Sequence, residues 1–299
     1  MRIALTGATG LLGTSLAPSL RSEGHEVVPV VRRRAEGNEI TWNPEEGTID
    51  AEKLHGVDAV VHLAGAGVGD HRWSAAYKRT ILSSRVKGTT TLSAALSRLP
   101  QPPAVLLSAS AVGYYGSRGD ELLTEESGPG DGFLADVCRQ WESATTTAAS
   151  AGIRVVTLRS GVVLSAAGGA LKKQLPPFRL GLGARLGRGN QQFSWITRRD
   201  AVAAISFLLE QDALSGPFNL TAPQPVSNTE FTHELGRALK RPAMLFVPEM
   251  ALRIVVGDEM TAEFLLASQH AVPQRLLAAG FTFADPTLAA ALVTALQDR

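Results

Sequence analysis

Cysteine, surplus charge and long apolar runs are all scarce in this 299-residue sequence. Cys138 is the only cysteine, so the sequence excludes an intramolecular disulfide and a metal site built from paired cysteines. A single thiol fits a reducing compartment, and we expect a cytoplasmic protein.

Positive and negative charges nearly cancel. Lys and Arg total 29, while Asp and Glu total 28, which gives a formal net charge of +1. A protein that binds nucleic acid or an anionic membrane surface usually carries a basic surplus. We therefore expect neither of these partners, and a small-molecule substrate instead.

Apolar runs have the length of strands. The run over residues 104–109 is far shorter than the ~20 residues of a membrane-spanning helix. The chain enters a predicted strand at its second residue, so we expect no signal peptide. With 44% hydrophobic residues, the sequence still supports a large buried core.

The most informative segment covers residues 2–34. An apolar strand over Arg2–Thr6 leads into a glycine-rich turn, a helix over Leu11–Arg21 and a second strand over Glu26–Val31. This order predicts a dinucleotide site in which Gly7 makes the turn, Gly10 admits a diphosphate, and Gly13 packs the helix against the strand. The diphosphate would lie at the positive end of the helix. The predicted contacts are Gly7, Ala8, Thr9, Gly10, Leu11, Leu12 and Gly13.

The end of the second strand indicates which dinucleotide is bound. An Asp or Glu about 20 residues after the last glycine usually reads the ribose 2′-hydroxyl of NAD(H). Arg32 and Arg33 stand there instead, and guanidinium groups suit a 2′-phosphate. NADP(H) is therefore the favoured cofactor; the alternative is that residues 32–34 are solvated surface arginines.

Strand and helix patterns alternate through the first half of the chain. Strands are predicted over residues 39–42, 57–63, 104–110, 153–158 and 217–220, and helices over residues 73–99, 133–151 and 200–209. This alternation predicts an α/β fold, a Rossmann doubly wound parallel sheet with a smaller C-terminal substrate lobe. The predicted Rossmann domain is residues 1–164, completed by about 196–221. Residues 165–195, which show no regular period, and 222–299 form the predicted lobe, so the substrate pocket would lie between the two.

Several longer motifs occur together and in order. They are Val57-Asp-Ala-Val-Val-His-Leu-Ala64, Ser108-Ala-Ser-Ala-Val-Gly-Tyr-Tyr-Gly116, Cys138-Arg-Gln-Trp-Glu142, Leu158-Arg-Ser-Gly-Val-Val-Leu164, Pro176-Pro-Phe-Arg-Leu-Gly-Leu-Gly183 and residues 187–200 with Ser194-Trp-Ile196. With these motifs the chain resembles extended short-chain dehydrogenases/reductases of the NAD-dependent epimerase/dehydratase family. Within them it is similar to a nucleoside-diphosphate-sugar epimerase-like subgroup, sometimes labelled cell-division-inhibitor-like.

The resemblance covers essentially the whole chain. It implies a Rossmann domain with bound NADP(H) and a C-terminal substrate lobe. It also implies further cofactor contacts at Leu63, Ala64, Gly65, Ser108, Cys138, Ser160, Gly161, Val162 and Val163, and substrate contacts at Gln191, Gln192 and Trp195.

The expected catalytic residues are only partly present. By resemblance, Ser110 matches the serine that orients a substrate oxygen, and Tyr115 matches the tyrosine of the following turn. The family's Tyr-x-x-x-Lys pair is missing, because Leu134 and Cys138 occupy its two positions. Tyr114 is a candidate surrogate acid; packing against the second lobe is its alternative role.

Three other residues have open interpretations. Cys138 is either a thiol near the nicotinamide or a small core residue. His62, inside a buried strand, is expected to be a core histidine, and Arg159 either binds an acidic group or pairs with Asp or Glu.

Two functions remain open from the sequence. One is an NADP(H)-dependent oxidoreductase or epimerase-like enzyme acting on a small polar metabolite, a nucleotide sugar being one option. The other is an NADPH-binding sensor without turnover. The sequence allows either a monomer or a homodimer.

Overall fold

The computed structural model describes residues 1–298, which form a central sheet with helices on both faces. The strands are β1 Arg2–Thr6, β2 Glu26–Val31, β3 Ile40–Asn43, β4 Thr48–Ile49, β5 Ala59–His62, β6 Val105–Ala111, β7 Leu122–Leu123, β8 Arg154–Ser160, β9 Val162–Leu164, β10 Ala184–Leu186, β11 Gln192–Phe193, β12 Trp195–Thr197, β13 Gly216–Leu220, β14 Val226–Ser227, β15 Leu245–Val247 and β16 His270–Ala271.

The helices alternate with the strands of the first half and dominate the second. They are α1 Gly13–Ser22, α2 Ala75–Leu96, α3 Phe133–Ser143, α4 Thr146–Ser150, α5 Gly169–Arg179, α6 Arg198–Glu210, α7 Asn228–Leu239, α8 Glu249–Val256, α9 Asp258–Met260, α10 Gln274–Ala278 and α11 Leu288–Gln297, with short 3₁₀ turns at Glu52–Leu54 and Val112–Tyr115 and a π-turn at Thr261–Leu265.

The central sheet has the order β13-β8-β6-β5-β1-β2-β3-β4, and every neighbouring pair except β3–β4 is parallel. The strand order reverses around β1, so the carboxyl ends of β1 and β5 border the crevice in which such sheets bind ligands. The register aligns Thr6 with His62, and His62 with Ser108. In the next pair of strands, β6 and β8, Ser110 is aligned with Arg159.

Two hydrophobic clusters cover the two faces of this sheet. On one face, Leu16 of α1 and Ile205 of α6 pack with the strands, and on the other Leu92 of α2 packs with Val60 and Leu106. Helices on both faces of a parallel sheet confirm the predicted doubly wound α/β fold.

A third cluster lies in the C-terminal half. Phe178 of α5, Phe231 of α7 and Leu292 of α11 pack there around Trp195. The strand β13 lies beside β8 in the central sheet. The domain boundaries given above stay a prediction.

Two predicted segments differ from the structure. The expected helix over residues 133–151 is divided into α3 and α4. The stretch predicted to lack a regular period contains α5, even though Pro176 and Pro177 lie inside it. A proline lacks the N–H that would donate to the carbonyl four residues before it, so only the carbonyls of the exposed Lys172 and Lys173 lose their helical donors. Among residues 1–298, no helix combines the length and apolar character that crossing a bilayer requires.

Candidate functional site

The glycine turn joins β1 to α1 at the carboxyl edge of the sheet. Gly7 has a φ of +70°, and a Cβ there would lie 2.9 Å from the Leu63 carbonyl carbon. A Cβ on Gly13 would collide with the Gly7 oxygen, so the fold itself requires both glycines. Gly10 is exposed, and its Cβ would meet only that same oxygen, at 3.2 Å. A ligand can therefore approach the backbone at Gly10.

The same turn leaves backbone donors free. Among residues 1–298, the N–H groups of Leu11 and Leu12 have no hydrogen-bond acceptor, and no acidic side chain occupies the first turn of α1. Such a helix start attracts an anion. The remaining predicted contacts surround it: Thr9 is exposed, Ala8 and Leu12 pack on the core, and Leu11 lies against the backbone at Gly168 and Gly169.

Thr6 and His62 hold the end of β5 against the end of β1. The Thr6 hydroxyl accepts from the N–H groups of Leu63 and Ala64, at 3.1 and 3.2 Å, and contacts His62 Nδ1 at 2.8 Å. His62 Nε2 contacts Thr89 Oγ1 at 3.0 Å. Burial lowers the pKa of His62 to about 4, so the ring is neutral near pH 7. His62 is a hydrogen-bonded core residue, as expected.

The arginines after β2 have different surroundings. Arg33 donates two hydrogen bonds to Glu39, each 2.7 Å long, and this pairing raises the Arg33 pKa. Arg32 is exposed and makes no ion pair among residues 1–298. The two predicted 2′-phosphate ligands are thus not equivalent: Arg32 is free to bind an anion, and Arg33 already has a carboxylate.

The end of β6 carries a buried ion-pair network. Ser110 donates to Glu142 Oε1 at 2.7 Å, and Arg159 donates to both Glu142 oxygens at 2.8 and 2.9 Å. Burial acts to lower the pKa of Arg159, but Glu142 and Tyr115 outweigh it and raise that pKa. Arg159 was expected either to bind an acidic group of a ligand or to pair with Asp or Glu, and in the structure it pairs with Glu142. Ser108 is buried, and its hydroxyl has no partner among residues 1–298.

The two tyrosines of the 3₁₀ turn are placed differently. Tyr115 is fully buried, donates to Asn219 Oδ1 at 2.8 Å and has its pKa raised by burial. This position does not favour proton exchange with a substrate, and the catalytic role expected of Tyr115 stays a prediction. Tyr114 is half-buried with the Arg159 guanidinium 3.5 Å from its ring centroid, and its hydroxyl makes no hydrogen bond within residues 1–298.

The α3 positions that resemble the missing Tyr-x-x-x-Lys pair lie close to this turn. A Cβ on Gly113 would be 3.5 Å from Leu134 Cβ and 3.8 Å from Cys138 Sγ. Burial raises the pKa of Cys138 to about 11, so the thiol stays protonated near neutral pH. Its side chain is 3% exposed, which favours the core interpretation over cofactor contact.

The segment after β8 turns out of the central sheet. Gly161 donates to Leu220, and a Cβ there would lie 2.6 Å from the Ser194 oxygen. Ser160 and Val163 are half-buried on either side of it, and Val162 starts β9 by donating to Ser194. These residues remain candidates for lining the nicotinamide end.

Two of the three predicted substrate contacts are buried, and all three make hydrogen bonds within the protein. Trp195 is fully buried and donates to the Gln224 carbonyl, so its substrate contact stays a prediction that this placement does not favour. Gln191 is 9% exposed and donates to Leu186. Gln192 is half-buried and reaches Asp120 Oδ1 at 3.3 Å. Only Gln192 remains accessible to a ligand.

The sequence interpretation missed one polar residue at this edge. Arg85 of α2 is buried, with its guanidinium between Gly65 and Trp141. A signal was present, since Ile81, Arg85, Gly88 and Leu92 form the helical spacing of a buried face, in which an arginine is unusual.

Comparisons with known proteins identify the family of this chain. The sequence profile described as the NAD dependent epimerase/dehydratase family matches residues 3–220. The chain belongs to this family. A second profile, a domain of unknown function, matches residues 247–295.

Related proteins extend over nearly the whole chain. An epimerase family protein of Mycobacterium bovis is 47% identical over 291 residues, which cover 97% of this chain and 96% of its own. The human epimerase family protein SDR39U1 is 37% identical over 295 residues, 98% of each chain.

Two solved structures resemble this fold. The crystal structure of human SDR39U1 (isoform 2) with NADPH gives a TM-score of 0.92 at 34% identity, over 100% of both chains. A nucleoside-diphosphate sugar epimerase from Corynebacterium glutamicum gives 0.79 at 37% identity, over 99% of this chain and 58% of that one.

Proposed function

We propose that this chain binds NADP(H) along the carboxyl edge of its sheet and acts as an oxidoreductase or epimerase-like enzyme on a small polar metabolite. The observation that carries the proposal is the exposed Gly10 beside the unpaired N–H groups of Leu11 and Leu12. A diphosphate would accept hydrogen bonds there. Support for the phosphorylated cofactor comes from the free Arg32 and from the NADPH bound by the human relative.

The chain's own groups suggest how a substrate would be held. NADP(H), when bound, supplies hydride transfer. Ser110 is 4% exposed and donates a hydrogen bond to Glu142, so its oxygen lone pairs are left to accept one, which favours a substrate hydroxyl that reaches the end of β6. Tyr114 is the proposed proton donor or acceptor, and the stacked Arg159 fixes its ring.

The finer choice of substrate rests on a relative. The Corynebacterium protein is described as a nucleoside-diphosphate sugar epimerase, and it is 37% identical to this chain. A nucleotide sugar is therefore the first substrate class to test, although the fold alone does not fix the reaction.

A second candidate is an NADPH-binding sensor without turnover. The observation in its favour is that Leu134 and the neutral, buried Cys138 stand where the resemblance expects tyrosine and lysine. Neither side chain can exchange a proton near neutral pH, so cofactor binding would remain without the usual acid.

A turnover assay separates the two candidates. The purified protein is incubated with NADPH or NADP⁺ and a panel of nucleoside-diphosphate sugars, small alcohols and small carbonyl compounds, and nicotinamide absorbance and sugar products are followed. The enzyme proposal predicts turnover of at least one class, reduced about 100-fold by Tyr114→Phe with unchanged cofactor affinity. Ser110→Ala should also reduce it, whereas Ser143→Ala, on the exposed side of α3, serves as the matched control. Cofactor binding without turnover of any class would favour the sensor.

A further inference from the structure

Arg85 is a buried cation without a carboxylate partner. The residue is 9% exposed, and its Nη1 donates to the Ile81 carbonyl at 3.0 Å. Among residues 1–298 it forms no ion pair and no second hydrogen bond. A guanidinium has five N–H donors, and burying its charge without a partner is costly. None of its nitrogen atoms is both sealed from solvent and unpartnered, so the unpaired donors keep some contact with solvent.

The position of Arg85 places these donors at the cofactor edge. A Cβ on the exposed Gly65, just after β5, would lie 3.4 Å from Arg85 Cζ. On the other side, Cζ is 4.9 Å from the Trp141 ring centroid. The buried indole N–H of Trp141 also lacks an acceptor among residues 1–298. The unpaired donors of Arg85 and the indole of Trp141 are therefore neighbours close to the end of β5.

The strand order tells which half of a dinucleotide would lie there. Arg32 follows β2, on one side of β1, so the adenosine 2′-phosphate belongs on that side. β5 and β6 lie on the other side of β1, and the remaining half of the dinucleotide must cross to them. Gly65 and Arg85 are thus on the nicotinamide side.

One position on that side, on α3, lacks the cation that the resemblance implies. The resemblance expects a lysine at the position of Cys138, whose thiol is neutral. The Trp141 ring against which Arg85 packs lies on α3, about one helical turn after Cys138, so the guanidinium approaches the same part of α3 from α2. Burial lowers the pKa of Arg85, as expected for a cation that lacks its counter-group.

We propose that Arg85 binds the nicotinamide-side half of NADP(H), its guanidinium donating hydrogen bonds to the ribose hydroxyl oxygens in place of the ammonium that α3 lacks. This inference rests on the proposed function, because it requires a dinucleotide on the glycine turn. It differs from a purely structural role, in which Arg85 would only pack on Trp141 and stabilise the helix pair.

Two ligands separate these roles. Nucleotide-stripped protein is titrated calorimetrically with NADPH and with 2′,5′-ADP, which carries only the adenosine side. We expect Arg85→Met to weaken NADPH binding about tenfold or more and to leave 2′,5′-ADP binding within about twofold of wild type. The melting temperature without ligand should stay equal or rise, since an unpaired buried charge is removed. Arg98→Met, on an exposed arginine just beyond the end of α2, is the control and should change neither affinity.

The contrary results are distinct. Unchanged NADPH affinity in Arg85→Met overturns the inference, as does an equal loss of both ligands. If that variant does not fold, Arg85→Gln applies the same test, because it keeps two donors and removes the charge. Wild-type protein that binds neither ligand overturns both this inference and the proposed function. Wild-type binding of both ligands, with no effect at Arg85, leaves the proposed function standing alone.

Discussion

Arg33 and Glu39 form a two-point ion pair immediately after β2, with Nη1–Oε2 and Nη2–Oε1 distances of 2.7 Å each. Glu39 also accepts from the Glu36 N–H, so the carboxylate is fixed within its own loop. A 2′-phosphate that approached Arg33 would have to share it with Glu39. Arg32 has no such competing carboxylate among residues 1–298. The two adjacent arginines are therefore expected to contribute unequally to binding of the 2′-phosphate.

This division predicts unequal effects of single substitutions. Arg32→Ala should weaken NADPH binding about tenfold and leave NADH binding nearly unchanged, because one charge-assisted contact to the 2′-phosphate is lost. Arg33→Ala should have a smaller effect, about threefold, since its charge is already balanced. Calorimetry with both nucleotides measures the difference. A larger effect at Arg33 than at Arg32 would show that Glu39 releases Arg33 on binding.

The glycine turn predicts a separation between binding and stability. Gly10→Ala should weaken NADPH binding because its methyl group enters the space of the diphosphate, while the melting temperature changes little. Gly13→Ala should lower the melting temperature, since its Cβ would collide with the Gly7 oxygen. Gly128→Ala, with no atom within 4 Å of its Cβ, is the matched control for both measurements. Equal NADPH affinity in Gly10→Ala and Gly128→Ala would argue against a diphosphate at this turn.

Removing one partner of the Glu142–Arg159 ion pair should strongly destabilise the fold. Their side chains are 16% and 5% exposed, so Glu142→Ala leaves a buried guanidinium without its partner. We expect a loss of about 3 kcal/mol in the free energy of unfolding, measured by urea denaturation. Glu234→Ala removes the partner of the exposed Arg237 and should cost less than about 1 kcal/mol. Equal losses in the two variants would mean that the Arg159 charge finds another partner or water.

His62 predicts a pH dependence with a definite sign. Its pKa is lowered from 6.5 to about 4 by burial, so the folded state favours the neutral ring. The contribution of His62 to stability is fully present above pH 6.5, where the ring is neutral in both the folded and the unfolded chain. It declines as the pH falls toward 4, because only the unfolded chain takes up the proton. The contribution is at most roughly 3 kcal/mol.

The test compares the wild type with His62→Asn between pH 7 and pH 4 by urea denaturation. The variant should be less stable at pH 7, because the contacts to Thr6 and Thr89 are weakened, yet lose less stability on acidification. His233→Asn, on an exposed histidine, is the control. An unchanged pH dependence in His62→Asn would contradict the assignment.

Local patterns predicted the nucleotide half of the fold well. The strand over Glu26–Val31 has the predicted bounds, and Gly7 and Gly13 have the structural roles expected of them. Pro29, within that strand, is tolerated because pairing with β3 begins only at Val30. These features depend on neighbours close in sequence or on a strongly periodic pattern.

Contacts between residues far apart in the sequence could not be predicted from local patterns. Tyr115 meets Asn219 104 residues away, and Trp195 is enclosed by a cluster assembled from α5, α7 and α11. No local pattern marks either of them as buried. For Arg85, the sequence pattern does indicate a buried helix face. That the guanidinium has no carboxylate partner there follows only from the positions of all its neighbours in the structure.

The most direct test of the account is calorimetric titration of the nucleotide-stripped wild-type protein with NADPH, NADP⁺, NADH and NAD⁺. The account predicts micromolar binding of NADPH and weaker binding of NADH, a preference that disappears in Arg32→Ala/Arg33→Ala while NADH binding remains. Absence of binding by all four nucleotides would contradict it, because the glycine turn would then serve only the architecture of the sheet.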